Sequence, residues 1–379
     1  MNESGYPIAV WGVGPAGLNY LKELCKEWRL NVVGLINRNP QRRAAASEAT
    51  GVPGFDCLQA LLDGCAVRPQ MIVIATANPT HKDFTLQALE AGLHVFLDKP
   101  MGQDMAEAKT ILEAAQRAQG HLQVGFEYRY GSMTGRLKEL QAAGDFGTLT
   151  NIDIVDSRGH WWPDSPDTPV EEVWRLNPAI GGGPLLHCGI HELDLMRYYA
   201  GEVAQVQAFV PPRSLAFYPE GIPDHLTLEM RFHSGACGSF RLYHNIAPTW
   251  YRPIPRHNPV YHQVPGHGLD IIVTGTKGSA ICEIYAEQLH LNRFDHDNRE
   301  TIYLRSETFG HHHHNVSHHN TPQMIIGFAL RCSQGLGPID AADDAYRTTL
   351  LGQCCEEAVQ AAMADGWTSG PVSIPSAHV

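Results

Sequence analysis

The segment Gly12-Val-Gly14-Pro-Ala-Gly17 constrains this chain more than any other. It lies between a short apolar run, Ile8–Trp11, and a helical pattern over Ala16–Trp28. A strand that must turn into a helix within so few residues needs backbone freedom and small side chains. Gly12 allows the tight turn, Gly14 lets the backbone approach a pyrophosphate, and Gly17 lets helix and strand pack closely. The first N–H groups of such a helix, opened here by Pro15 and Ala16, have no partners within it and favour an anion. Between strand and helix, G-x-G-x-x-G reads as a dinucleotide site; its bland alternative is a turn that merely needs glycine.

The surrounding pattern agrees. Val32–Ile36, Met71–Ala75, His94–Leu97 and Leu122–Gly125 read as further strands, with helices at His81–Ala91 and Met105–Ala118. Alternation of this kind implies a parallel sheet covered on both faces. After Arg129 the pattern changes. Leu149–Val155, Val203–Val210, Leu226–Phe232, Gly238–His244, Ile271–Thr274 and Ala280–Ile284 read as strands with few helices between them, which favours an antiparallel or mixed sheet. A closing helix is expected over Ala342–Ala364. At 379 residues the chain is too long for one ordinary core. The expected class is therefore α/β, with a doubly wound nucleotide-binding domain over 1–125 and a second domain over 126–379. Pro211–Pro223 and Pro248–Gly268 are proline-rich connections, and the length of the latter suggests a binding loop or a subunit contact.

Composition excludes several classes. A formal charge of −12 opposes nucleic-acid binding, which needs a basic face. No apolar run approaches the roughly 18 residues of a membrane span. The start of the chain shows no basic segment followed by an apolar one, so no signal peptide is expected. Nine cysteines without a disulfide framework, Cys354 and Cys355 being adjacent, suit a reduced cytoplasm. The oddity is 21 histidines.

Two short stretches carry the chemistry. Asp98-Lys99-Pro100 ends a strand, and His187 and His191 are spaced to share one face of a helix. A lysine and a histidine can hold a hydroxyl between them and remove its proton, which is the chemistry of alcohol oxidation. At the end of the second strand, Asn37 stands where an acidic residue would bind the ribose hydroxyls of NAD and repel a 2′-phosphate. With Arg38, Arg42 and Arg43 nearby, this leans toward NADP while still permitting NAD. The arginines read equally well as a solvated helix start.

In Ala75-Thr76-Ala-Asn78-Pro-Thr-His81, Ala88–Pro100, Gly125-Phe-Glu-Tyr128-Arg129-Tyr130, Trp174-Arg175-Leu-Asn-Pro, Gly181–Asp194 and Phe328-Ala-Leu, the chain resembles the Gfo/Idh/MocA oxidoreductases over nearly its whole length. The resemblance implies a Rossmann domain binding NAD or NADP. It also implies a C-terminal α/β domain whose large open sheet builds dimers or tetramers, and sugar or cyclitol substrates. By its motifs, Lys99 contacts nicotinamide and substrate, with Asp98 in place of the usual glutamate, and His191 is the general base. His187 departs from the pattern, which has an acidic residue there. It then acts as a hydrogen-bond donor to substrate or shares the proton relay, or is simply a packed histidine.

Around this pair, Thr76, Asn78 and His81 are expected near the cofactor. Tyr128 and Arg129 are expected beside the substrate, although Arg129 reads equally as an ion-pair partner. Trp161, Trp162 and Trp174 suit stacking on sugar faces or ordinary core packing. Three other readings stand. His187, His191, Glu192 and Asp194, with His311–His314, His318 and His319, have the composition of a zinc or manganese site, giving a metal-dependent isomerase or lyase. A sensor without turnover is another. The third is a glycoside-processing enzyme that recycles tightly bound NAD. The histidine cluster at 311–319 reads as a solvated loop, a cleft lining or a metal site, and His244, His257, His262 and His267 carry the same alternatives.

Overall fold

A computed structural model describes residues 5–158, 176, 183–214, 218–244, 268–309 and 320–376. The chain divides into two compact units, one running through Phe126 and including Thr321–Thr349, the other from Glu127 to Asn320 and from Leu350 onward.

The first unit is a parallel sheet of β1 (Tyr6–Trp11), β2 (Leu30–Ile36), β3 (Gly54–Phe55), β4 (Met71–Ile74), β5 (His94–Leu97) and β6 (Leu122–Val124) in the order β3-β2-β1-β4-β5-β6. Every residue of β2 and β4 is buried, as helices on both faces require. Those helices include α1 (Pro15–Leu24), α2 (Pro40–Thr50), α3 (Leu58–Gly64), α4 (His81–Glu90) and α5 (Met105–Arg117). The strand order reverses between β1 and β4, so the ends of these two strands form the switch point at which such sheets hold ligands.

The second unit starts with α6 (Ser132–Ala142) and β7 (Leu149–Arg158). A wide π-helical turn, Leu185–Gly189, leads into α7 (Ile190–Ala200). Strands β8 (Val203–Phe209), β9 (His225–Phe232), β10 (Cys237–His244), β11 (Gly268–Gly275), β12 (Gly278–Glu283), β13 (Gln288–Asp295), β14 (Glu300–Thr308) and β15 (Val372–Ser373) complete a nine-stranded sheet with β7. Its order is β14-β13-β12-β11-β7-β10-β9-β8-β15. The β7–β10 pair is parallel and the other pairs are antiparallel, so the sheet is mixed. Ile152 and Ile154 on β7, Phe240 on β10, and Leu193 and Met196 on α7 belong to one buried core. Burying each such side chain is worth about 1.5–3 kcal/mol.

Two differences from the sequence expectation have physical causes. The segment Thr321–Thr349 was expected with the second domain but packs with the first unit. Its helix α8 (Thr321–Ser333) buries Met324, Ile325, Phe328 and Ala329, and it packs on α1, β1 and β5. The sequence reading has no strands over β13 and β14: β13 buries alternate residues only over its first half, Leu289 and Leu291, and β14 is almost wholly exposed. The remainder of the last helix, α9 (Ala342–Ala364), lies with the second unit from Leu350.

A Cβ on Gly17 would lie 2.0 Å from the Gly12 carbonyl oxygen, whereas one on Gly14 would meet nothing within 4 Å. Gly17→Ala is therefore expected to cost about 1–3 kcal/mol by overpacking, despite alanine's better helix propensity, and to lower the melting temperature. Gly14→Ala should leave the melting temperature in place.

Candidate active site

The nucleotide end is shaped by backbone. Gly12 has φ +101°, a conformation other residues rarely adopt, and its Cβ would lie 2.3 Å from the Ala75 carbonyl oxygen. Its N–H donates to the Ile36 carbonyl at 2.9 Å, which draws the turn against β2. Helix α1 starts at Pro15 without a side-chain cap and without an acidic residue in its first turn. Beside it, the space over Gly14 is open. Uncapped N–H groups, a helix dipole and an approachable backbone fit a dinucleotide pyrophosphate. Pro15 and Ala16 contribute the turn's shape.

At the end of β2, the Asn37 side-chain oxygen accepts from the Asn39 N–H at 2.9 Å, and its carbonyl accepts from Arg43 Nη1 at 2.7 Å. Arg43 is thus tied to the backbone, while Arg38 and Arg42 are exposed.

Lys99 follows β5 on the same sheet edge, half-buried. Its N–H donates to Asp98 Oδ1 at 2.9 Å, and the Tyr20 hydroxyl donates to Asp98 Oδ2 at 3.4 Å. His81 is only 1% exposed and stands with Nδ1 2.8 Å from the Pro100 carbonyl and Nε2 3.1 Å from the Thr76 carbonyl. Burial pushes this imidazole below its ordinary pKa and outweighs the two carbonyls, which pull it up; Lys99 nearby pushes it down further. The ring ties the turn after Lys99 to the loop after β4. It thereby positions that loop. Thr76 Oγ1 accepts from Thr80 Oγ1 at 2.7 Å, and Asn78 is buried beside them.

The second unit holds the histidines. His191 is 3% exposed, on the first turn of α7. Its ring stacks on Tyr128 with centroids 4.3 Å apart and planes 12° apart, and Nδ1 lies 3.4 Å from Glu127 Oε2. Glu127 and Tyr128 belong to a 3₁₀ turn, Glu127–Tyr130, that follows the first unit. Arg129 from the same turn forms a fork with Asp194: Nε to Oδ2 at 2.6 Å and Nη2 to Oδ1 at 2.5 Å, both side chains buried. This pairing makes Arg129 an ion-pair partner, and it engages the Asp194 that a metal site would need. His187 lies in the wide turn, half-buried, so the two imidazoles differ in exposure despite their spacing. Among the described residues, no group of three or more His, Cys, Asp or Glu side chains is placed to hold a metal ion. Trp161, Trp162, Trp174, Gly181, Gly182, His257, His262, His267, His311–His314, His318 and His319 lie outside the described residues.

Two models of one family match this chain. An oxidoreductase family with an NAD-binding Rossmann fold matches residues 7–126, and the GFO/IDH/MocA C-terminal domain matches residues 134–281. The chain belongs to the Gfo/Idh/MocA oxidoreductase family. Among its curated relatives, inositol 2-dehydrogenase of Leifsonia xyli subsp. xyli (strain CTCB07) is 30% identical over 210 residues, covering 55% of this chain and 57% of the relative. D-glucoside 3-dehydrogenase of Escherichia coli (strain K12) is 30% identical over 205 residues, covering 53% of this chain and 56% of the relative. The matches thus span about half the length of these relatives. Among solved structures, levoglucosan dehydrogenase in complex with NADH aligns with a TM-score of 0.76 at 20% identity, covering 98% of this chain and 99% of that one. The WlbA dehydrogenase of Bordetella pertussis, in complex with NADH and UDP-GlcNAcA, aligns with a TM-score of 0.74 at 19% identity, covering 99% of each. At those identities the structures share the fold.

This Gfo/Idh/MocA chain also carries a buried polar layer that sequence reading missed. Arg158 Nε donates to both oxygens of Asp156, at 3.1 and 2.9 Å, and its Nη2 lies 4.0 Å from Glu192. Burial pushes the Tyr128 hydroxyl well above its ordinary pKa, and Glu192 pushes it further in the same direction. A signal was present: β7 buries alternate residues, and Ile152 and Ile154 are followed in that register by Asp156 and Arg158. Charges on an inward register of a strand mark a polar site within a core.

Removing one partner of a buried ion pair strands the other. Arg129→Met should therefore cost about 3–5 kcal/mol and shift the urea midpoint to lower concentration, because Asp194 is left buried.

Proposed function

We propose that this protein transfers a hydride between the nicotinamide of NAD(P) and a ring hydroxyl of a sugar, cyclitol or glycoside. The observation that carries the reading is His191, a buried imidazole stacked on Tyr128 with Nδ1 facing a carboxylate. An imidazole so oriented has Nε2 as the nitrogen for proton transfer. The names of the relatives, dehydrogenases of inositol and glucosides, support the substrate class.

In this reading Gly12, Gly14, Pro15, Ala16 and Gly17 hold the pyrophosphate at the start of α1. Asn37 and Arg38 meet the adenosine ribose. Thr76, Asn78, Asp98 and Lys99 border the nicotinamide, and His81 holds their loops in place. When bound, the nicotinamide supplies the hydride acceptor. Lys99 places its ammonium on the carbinol oxygen and stabilises the negative charge that develops there. His191 takes the hydroxyl proton, and His187 donates a hydrogen bond to the substrate. Burial of His191 keeps water from competing for that proton.

The lean toward NADP rests on Asn37 and the exposed Arg38 and Arg42, since nothing acidic at position 37 opposes a 2′-phosphate. Asn37→Asp should raise the KM for NADP relative to NAD by about tenfold or more, read from initial rates with each nucleotide.

The deciding experiment begins with mass identification of any nucleotide that survives purification. A panel of sugars, inositols and glycosides is then scanned for absorbance at 340 nm. Reduction of the nucleotide by at least one of them is expected, and Lys99→Ala should lose about a hundredfold or more in kcat while nucleotide still binds. Near-normal turnover in Lys99→Ala would remove Lys99 from the reaction.

A further inference from the structure

The turn Glu127–Tyr130 and the start of α7 meet as matched sets. Glu127 faces His191, and two residues on Arg129 forks onto Asp194, three residues on from His191. The turn is held from several sides. Thr134 Oγ1 donates to the Tyr128 carbonyl, Asn320 Nδ2 donates to the Tyr130 carbonyl at 2.9 Å, and Tyr199 braces Thr134 through its carbonyl at 2.7 Å. The backbone that carries Glu127 is thus fixed, and its carboxylate oxygen lies 3.4 Å from the Nδ1 of the buried imidazole.

We propose that Glu127 is the positioning residue that fixes the tautomer and the basicity of His191. In this proposal the carboxylate, 3.4 Å from Nδ1, draws the ring proton to that nitrogen and leaves the Nε2 lone pair for the substrate hydroxyl. The charge of Glu127 favours the imidazolium that forms once that proton is taken. Other charged groups lie near the ring, and Glu192 acts on the Tyr128 hydroxyl that covers it. On α7, Asp194 is bound by Arg129, Glu192 faces Arg158, and position 187 is a half-buried imidazole. On β7, Asp156 and Arg158 bond each other. Tyr128 covers the ring face with its hydroxyl held neutral by burial, and Tyr285 and Cys188 lie in the field of Tyr128 and Arg158. Glu127 is the carboxylate at the ring nitrogen itself.

This inference rests on the role proposed for His191, so its test has a readout independent of turnover. In the full chain labelled with ¹³Cε1-histidine, the His191 resonance is assigned by its loss in His191→Asn. Glu127→Gln keeps the shape and removes the charge. It should lower the His191 titration midpoint by about 1 unit or more, because an opposite charge at this distance favours the protonated ring. The acidic limb of the kcat/KM profile should move to lower pH by the same amount, with nucleotide affinity unchanged. An unchanged midpoint in folded Glu127→Gln would overturn the proposal. Should that variant not fold, Glu127→Asp withdraws the charge by one methylene, and a midpoint equal to wild type would overturn the proposal equally. Persistent turnover in His191→Asn would sink the base assignment while the titration still reports whether Glu127 governs the ring.

Discussion

The fork between Arg129 and Asp194 organises the part of the second unit that carries His191. A guanidinium and a carboxylate, both removed from water, stabilise each other only when two parallel hydrogen bonds are made, so the turn and the helix that carry them have one mutual arrangement. Glu127 and Tyr128 precede Arg129 directly, and His191 precedes Asp194 by less than one helical turn. Fixing the fork therefore places a carboxylate on one edge of the imidazole and an aromatic ring on its face. The aromatic hydroxyl is kept neutral by burial. What looks like three separate contacts follows from one rigid joint.

The nucleotide-binding half works by a different principle, the exclusion of side-chain atoms. Gly12 and Gly17 crowd so closely that neither tolerates a Cβ, whereas Gly14 faces open space. Two glycines serve the packing of strand against helix, and the third leaves room for a ligand. Along the same edge His81 draws two loops together through carbonyl groups, and one of these loops carries Lys99. The buried ring acts as a cross-brace between strands β4 and β5, whose ends approach the switch point of the sheet.

Membership of the Gfo/Idh/MocA family explains why a parallel sheet and a mixed sheet share one chain. The first offers an uncapped helix terminus, and the second supplies a platform on which α7 rests through Gly189 against Phe240 and Gly238 against Met196. His191 emerges from this packed surface, where its ring has little freedom. Within the second unit the charged layer of Asp156, Arg158 and Glu192 lies where an apolar core would otherwise continue, close to the residues proposed for proton transfer.

Much of this was readable in the order of residues. The apolar runs of β1, β2, β4 and β5 and the glycines between β1 and α1 impose a doubly wound sheet, because no other arrangement buries such runs on both faces. Lys99 and His191 stood out for similar reasons, being polar groups at the edge of apolar elements. Other features depend on distant parts of the chain. Strand β14 is almost wholly exposed, α8 packs on a unit far from it in sequence, and Arg129 reads as a substrate contact or an ion pair until Asp194 is placed beside it. Periodicity reports whether a residue faces inward; it is silent on what waits there. The sequence by itself determined the sheets, the phosphate turn and the polar candidates, since these follow from local spacing and burial. Tertiary structure alone decided which charge meets which, because Glu127 and His191 are brought together by packing across more than sixty intervening residues.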